Sequence, residues 1–267
     1  MSSRLAVALA LALAGCGRAP EEPPAERVTL TVYVPCVLSG ALQGVISAYQ
    51  EMHRGTEVVT QVDKPQAVLA RAQEVQQGPA AVITMGEVEM AVLVKGGVVA
   101  AEEMHAFAVN TYPLAVVVPA EAGDDVRQLT DLAGPRVERV YLEDPHRSTS
   151  AQRARQALEK LGLWEDVSGK VVRPAPDAMV LAELLAGKAD AAIVFEDCLL
   201  GETAEGKPPS TISIVGELPE ETHSPIMYYA AALRSAPNAP TARQFVGFLT
   251  SYQGKQALRR AGLTPVD

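Results

Sequence analysis

The chain alternates short apolar runs with segments whose apolar residues recur every three or four positions. Thr29-Leu-Thr-Val-Tyr-Val34 is β-branched, aromatic and alternating, which predicts a strand. After a turn over 35–40, Leu42, Val45, Ile46, Tyr49 and Met52 mark the buried stripe of a helix. Further strands are predicted over 57–62, 80–84, 114–119, 137–142, 170–173, 191–195, 211–215 and 226–233. Further helices are predicted over 66–77, 87–95, 126–132, 151–161, 178–186, 241–252 and 254–261. AAVIT at 80–84 and LAVVV at 114–118 are apolar throughout, as parallel strands covered on both faces are. Gly78-Pro79, Gly96-Gly97, Gly162 and Gly187 supply helix stops, and Ser148-Thr149-Ser150 supplies a cap. Strand and helix in turn predict α/β layering. Two lobes can be read, 27–110 with 224–267 and 111–223, the end of the chain lending strands to the first.

The first residues follow a different pattern. Arg4 precedes an apolar stretch over 5–14, too short to span a bilayer, which ends in Leu13-Ala14-Gly15-Cys16. That order of apolar, small, small and cysteine is similar to a bacterial lipoprotein signal, with Cys16 lipidated and made the new N-terminus. The plainer alternative is a secretory peptide with a chance cysteine. Residues 1–15 then read as signal, and the Pro- and Glu-rich 16–26 as a flexible tether. The expected location is the periplasm or cell surface, with the chain anchored by more than one acyl chain to a bacterial membrane. A hydrophobic fraction of 48% over 267 residues supports a sizeable core. A net charge of −9 with no basic run argues against nucleic acid as a partner. Composition says little more.

Several segments together resemble one family, the periplasmic molybdate-binding proteins of ABC importers. The resemblance covers nearly the whole mature chain. TVYVPCVLSGALQGV looks like the family's opening strand, turn and helix, and VLARAQEVQQGPAAVITMGEVEM its next helix, strand and loop. EDPHRSTSAQRARQALEKLGLW is similar to a Gly-Asp-Pro turn and the helix after it. AAIVFEDCLL, GELPEETHSPIMYYAAAL and FVGFLTSYQGKQALRRAGLTP continue the pattern. The resemblance implies a two-lobed type II clamshell, each lobe a mainly parallel sheet flanked by helices. It also implies a monomer, an ABC permease as partner, no enzymatic activity, and molybdate or tungstate as ligand rather than any cofactor. Carried over by position, the family's ligand contacts fall on Val37, near Gln66, on Ser150, near Ala178 and on Phe195. Val37 and Phe195 lack the hydroxyls expected there. A lost donor to a buried charged group costs about 1.5–3 kcal/mol, so the departures bear on the ligand more than on the fold.

The residues themselves open other readings. The mature chain keeps two cysteines, Cys36 at a helix start and Cys198 just past a strand. In an oxidising compartment a disulfide is the ordinary expectation. A bridge across a cleft would oppose hinge motion, and a cysteine at a helix start favours the thiolate. Cys36 and Cys198, with His146 and Met85, therefore form an alternative set for copper(I), zinc or arsenite. Met179, Met227, Glu196 and Asp197 lie on nearby turns. Cys36 with His146 is also a remote nucleophile–base pair for a hydrolase, although no orienting third residue is apparent.

Overall fold

The computed structural model describes residues 27–74, 80–110, 113–175, 178, 180–200 and 209–266. The chain opens with β1 (Val28–Pro35), α1 (Cys36–Met52), β2 (Thr56–Asp63), α2 (Pro65–Glu74), β3 (Ala80–Gly86), α3 (Glu87–Lys95) and β4 (His105–Val109). It crosses to β5 (Leu114–Pro119), β6 (Val140–Tyr141), α4 (Thr149–Lys160), α5 (Trp164–Ser168), β7 (Val171–Val172), α6 (Val180–Leu185), β8 (Ala191–Phe195), α7 (Glu196–Leu200) and β9 (Ile212–Glu217). It returns as β10 (Met227–Ala232), α8 (Ala239–Thr250), α9 (Tyr252–Arg260) and β11 (Thr264–Pro265).

Two sheets result. The first is six-stranded in the order β11-β4-β10-β3-β1-β2, and the second five-stranded in the order β7-β6-β8-β5-β9. β1 runs parallel to β2 and β3, while β10, arriving from the far end of the chain, is antiparallel to β3 and β4. In the second sheet β5 is the antiparallel member, between β8 and β9. The fold is thus the expected two-lobed α/β clamshell, and the lobe that closes on itself second is inserted into the first.

β1 is apolar on both faces because it lies between two cores. Leu30, Val32 and Val34 pack with Leu38, Leu42, Val45, Tyr49 and Phe245. Tyr33 points the other way, among Leu69, Ile83, Met85 and Leu93. Burying each such side chain is worth about 1.5–3 kcal/mol, which fixes β1 as an interior strand of its sheet, between β3 and β2. The strand also feeds its helix without an intervening turn. Pro35, at φ −69° and ψ 148°, serves as N-cap, and Cys36 is already helical. The turn expected over 35–40 is therefore absent. Met52 is 55% exposed, because it follows Tyr49 at the frayed end of α1 rather than on its buried stripe.

Some elements differ from the periodicity. The strand expected over 137–142 pairs only at Val140–Tyr141, and the one over 170–173 only at Val171–Val172. The helix expected at 126–132 is a 3-10 turn at Leu129–Ala133. β4, α5, α7 and β11 are too short or too mixed in polarity to show a period. No helix among the described residues is long and apolar enough to cross a membrane. The predicted signal, Cys16 and the tether lie outside the described residues, as do 75–79 and Met179.

Candidate functional site

A cavity of about 680 Å³ opens between the lobes. From the first lobe it is walled by Cys36, Ser39 and Gly40 at the start of α1 and by Val62, Asp63, Lys64 and Pro65 at the end of β2. The second lobe contributes Tyr141 and Glu143 after β6, Ser150 in α4, Val180 and Leu181 in α6, and Ile193, Val194 and Phe195 at the end of β8. Both walls are carboxyl ends of strands, where ligands of open α/β sheets bind.

Cys36 and Cys198 meet in that wall as a disulfide, with Cα atoms 5.9 Å apart, inside the range such bonds require. It joins α1 of one lobe to α7 of the other. The thiolates needed by the soft-metal reading and by the hydrolase reading are consumed, so neither stands. The other members of that set fail too. Met85 is fully buried in the core behind β3, and His146 is an exposed turn residue whose amide donates to Asp144 Oδ1 at 3.0 Å. Among the described residues no group of three or more His, Cys, Asp or Glu side chains is placed to hold a metal ion.

The positions carried over for an oxyanion divide. Cys36, Ser150 and Phe195 line the cavity. Val37 does not: one step beyond Cys36 turns the side chain about 100° around the helix, into the core, where it is 1% exposed. Gln66 is used between the lobes, its Nε2 donating to the Arg147 carbonyl at 3.0 Å. Ala178 is buried, and its carbonyl accepts from Lys64 Nζ.

Two helix N-termini meet where the lobes touch. Thr149 Oγ1 accepts from Val88 N at the start of α3, at 2.9 Å. In return Glu89 of α3 accepts from Thr149 N at 3.0 Å and from Thr149 Oγ1 at 2.5 Å. Each helix thus caps the other across the interface. Gly86, the N-cap of α3, allows this approach, since a Cβ there would lie 2.4 Å from Thr149 Oγ1. Arg153, 4% exposed, adds an ion pair to Glu87 at 2.6 Å and a bond to the Pro225 carbonyl at 3.3 Å. Burial raises the Glu89 carboxyl above its ordinary range, against the opposing pull of the Thr149 bonds.

The sequence reading passed over the carboxylate that faces the cavity. Ser148 caps α4 by accepting from Ala151 N at 3.3 Å, and its hydroxyl donates to Glu143 Oε2 at 2.5 Å. Glu143 Oε1 has no partner among the described residues. Burial lifts this carboxyl from 4.5 to about 7, the nearby Glu89 carboxylate adds to the rise, and the Ser148 bond opposes it. The only sign of it in the sequence was its place in the EDP turn, two residues past a short strand.

The family model for bacterial extracellular solute-binding proteins matches residues 30–264. The chain belongs to that family. A protein of Bacillus subtilis (strain 168), provisionally named as an ABC transporter substrate-binding lipoprotein, is 25% identical over 95% of this chain and 94% of its own length. The molybdate-binding protein of Haemophilus influenzae (strain ATCC 51907 / DSM 11121 / KW20 / Rd) is 24% identical over 94% of each chain. Among solved structures, the sulfate-binding protein of Mycobacterium tuberculosis H37Rv superposes with a TM-score of 0.62 at 21% identity, over 90% of this chain and 88% of that one. The resemblance to molybdate-binding proteins is therefore borne out, as are the type II fold and the absence of enzymes among these relatives. As a family member the chain is an extracytoplasmic component of an ABC importer.

Proposed function

We propose that the chain captures one small solute between its lobes and delivers the closed form to an ABC permease, as a monomer anchored through Cys16. The place of the cavity carries this reading. A ligand held there touches the ends of strands from both lobes, so it binds the closed arrangement more tightly and shifts the population toward it. The lipoprotein name of the B. subtilis relative supports the anchor, together with the Leu13-Ala14-Gly15-Cys16 sequence.

Molybdate or tungstate is the ligand that similarity suggests, from the H. influenzae relative and from the cavity-lining places of Cys36, Ser150 and Phe195. The apolar walls and the free Glu143 oxygen favour a second reading, an organic solute. Small-angle scattering of the full-length chain in detergent, its disulfide reduced, tests the clamp itself. Molybdate, tungstate, sulfate and small organic amines are added in turn. The expected result is a smaller radius of gyration and a raised melting point with at least one of them. At 100 times its dissociation constant a ligand stabilises by about 2.7 kcal/mol. A chain that neither contracts nor is stabilised by any of them does not work as a clamp.

A further inference from the structure

The hydroxyls of the cavity wall have spent their hydrogens within the protein. Ser39 Oγ donates to the Cys36 carbonyl at 2.8 Å. Tyr141 Oη donates to Glu183 Oε2 at 2.7 Å. Ser148 Oγ gives its one hydrogen to Glu143, so the 2.9 Å contact between Ser148 and Ser150 uses the hydrogen of Ser150. Lys64 Nζ donates to the Ala178 carbonyl. What the hydroxyls present to a ligand is acceptors, and above pH 7, where Glu143 is ionised, its Oε1 is the strongest of them. At the start of α4 the Thr149 amide is met by Glu89 and the Ala151 amide by Ser148. The rest of the wall is apolar: Val62, Val180, Leu181, Ile193, Phe195 and Leu199.

We propose that the cavity takes an organic solute with an apolar body and an amine or hydroxyl that donates to Glu143. The assignment rests on the solute-binding reading above and narrows its ligand class. Size agrees with it. At about 30 Å³ per water molecule, 680 Å³ is space for about 20 waters, far more than a five-atom oxyanion fills. Charge in the wall is mixed, since Glu143 and Asp63 stand there with Lys64, so an anion meets carboxylates as well as an ammonium whereas an amine has a carboxylate to pair with. A cavity of this volume, mainly apolar with a few polar groups converging, is of the kind that holds organic ligands.

Four probes on the full-length chain in detergent decide the matter: benzylamine, benzyl alcohol, benzoate and molybdate, each followed by thermal midpoint. Benzylamine and benzyl alcohol share a donor and an apolar ring, whereas benzoate keeps the ring and offers only acceptors. The expected order is a rise with benzylamine, a smaller rise with benzyl alcohol, and none with benzoate or molybdate. Glu143→Gln is expected to weaken benzylamine binding at least tenfold and to leave benzyl alcohol nearly unchanged. If that variant does not fold, the order of the four probes on the native chain still decides. A rise with benzoate or molybdate but not benzylamine overturns the assignment and leaves the solute-binding role intact. No rise with benzylamine, or equal benzylamine rises with native chain and variant, overturns it also. Failure of the clamp reading looks different: benzylamine raises the midpoint, yet scattering of the reduced chain shows no contraction.

Discussion

At the scale of single residues, Glu143 governs both stability and chemistry of the cleft. Its carboxyl titrates near 7 in the folded chain and near 4.5 when exposed. Folding therefore takes up a proton between those values, and the Glu143 contribution to stability is complete below about pH 4.5 and lost as pH rises through 7. The span of about 2.5 units corresponds to about 3 kcal/mol. Glu143→Gln keeps the acceptor for Ser148 and removes the titration. Denaturant melts of both proteins are expected to show the variant gaining about 3 kcal/mol on the native chain between pH 4.5 and 7, with the difference level above pH 7. A difference that stays flat across that range counts against a buried, titrating Glu143. Such a residue is hard to read from sequence, because burial of a charged side chain leaves no periodic trace. Cys36 was legible as a special position, since a cysteine at the junction of an apolar strand and an amphipathic helix is local information. Its bond to Cys198 was one of three open readings, because proximity between residues 162 apart belongs to the tertiary fold. Val37 shows the converse problem: a position carried over by resemblance landed on the wrong face, since the helix begins at Cys36.

At the scale of elements, the long periodic segments were predictable and the contacts between them were not. α3, β5 and β8 lie within a residue or two of where hydrophobic spacing puts them, because each buries a stripe or a face on its own lobe, whereas α1 begins inside the stretch expected as a turn. The meeting of α3 with α4 has no such signature. It depends on Gly86, Thr149 and Glu89, three residues with unremarkable local roles. Gly86→Ala tests how closely the two N-termini must approach. Its Cβ would sit 2.7 Å from both Thr149 Cβ and Glu89 Oε2, so overpacking is expected to cost about 1–3 kcal/mol. Because the clash lies between lobes, the loss should appear with a larger radius of gyration in scattering. Gly44→Ala in the middle of α1, where a Cβ meets nothing within 4 Å, makes the same chemical change and is expected to stabilise by up to about 1 kcal/mol. Loss at both positions would mean that the contact between lobes is not what Gly86 protects. The Arg153–Glu87 pair at the same junction is asymmetric, with Arg153 buried and Glu87 47% exposed. Removing Glu87 leaves a buried guanidinium with fewer partners, whereas removing Arg153 leaves a carboxylate that water can reach. Glu87→Ala is therefore expected to destabilise more than Arg153→Met, by about 1–2 kcal/mol in equilibrium melts.

At the scale of the whole molecule, the lobes are joined three times: by the chain passing from β4 to β5, by its return from β9 to β10, and by the disulfide between α1 and α7 in the cavity wall. The first two joints lie in one hinge region and permit rotation. The third ties the rim of the cavity and fixes a distance that opening would have to lengthen. Two consequences are separable. For folding, cross-linking residues 162 apart removes chain entropy worth about 5 kcal/mol in the loop-closure description, so Cys198→Ser should lower the denaturation midpoint substantially without changing the sheets. For function, the bridge limits how far Cys36 and Cys198 can part, so a bound solute should leave the oxidised protein only through what motion the tie allows. Reduction by a dithiol adds two electrons and two protons, gives two free thiols and frees the rim. Any probe that raises the melting point of the native chain should then dissociate faster from the reduced chain than from the oxidised one, measured by stopped-flow displacement. Cys198→Ser should match the reduced rate with or without dithiol, which separates the bridge from other effects of the reductant. Equal dissociation rates for oxidised, reduced and Cys198→Ser proteins would show that the bridge stabilises the fold while leaving the clamp free to open.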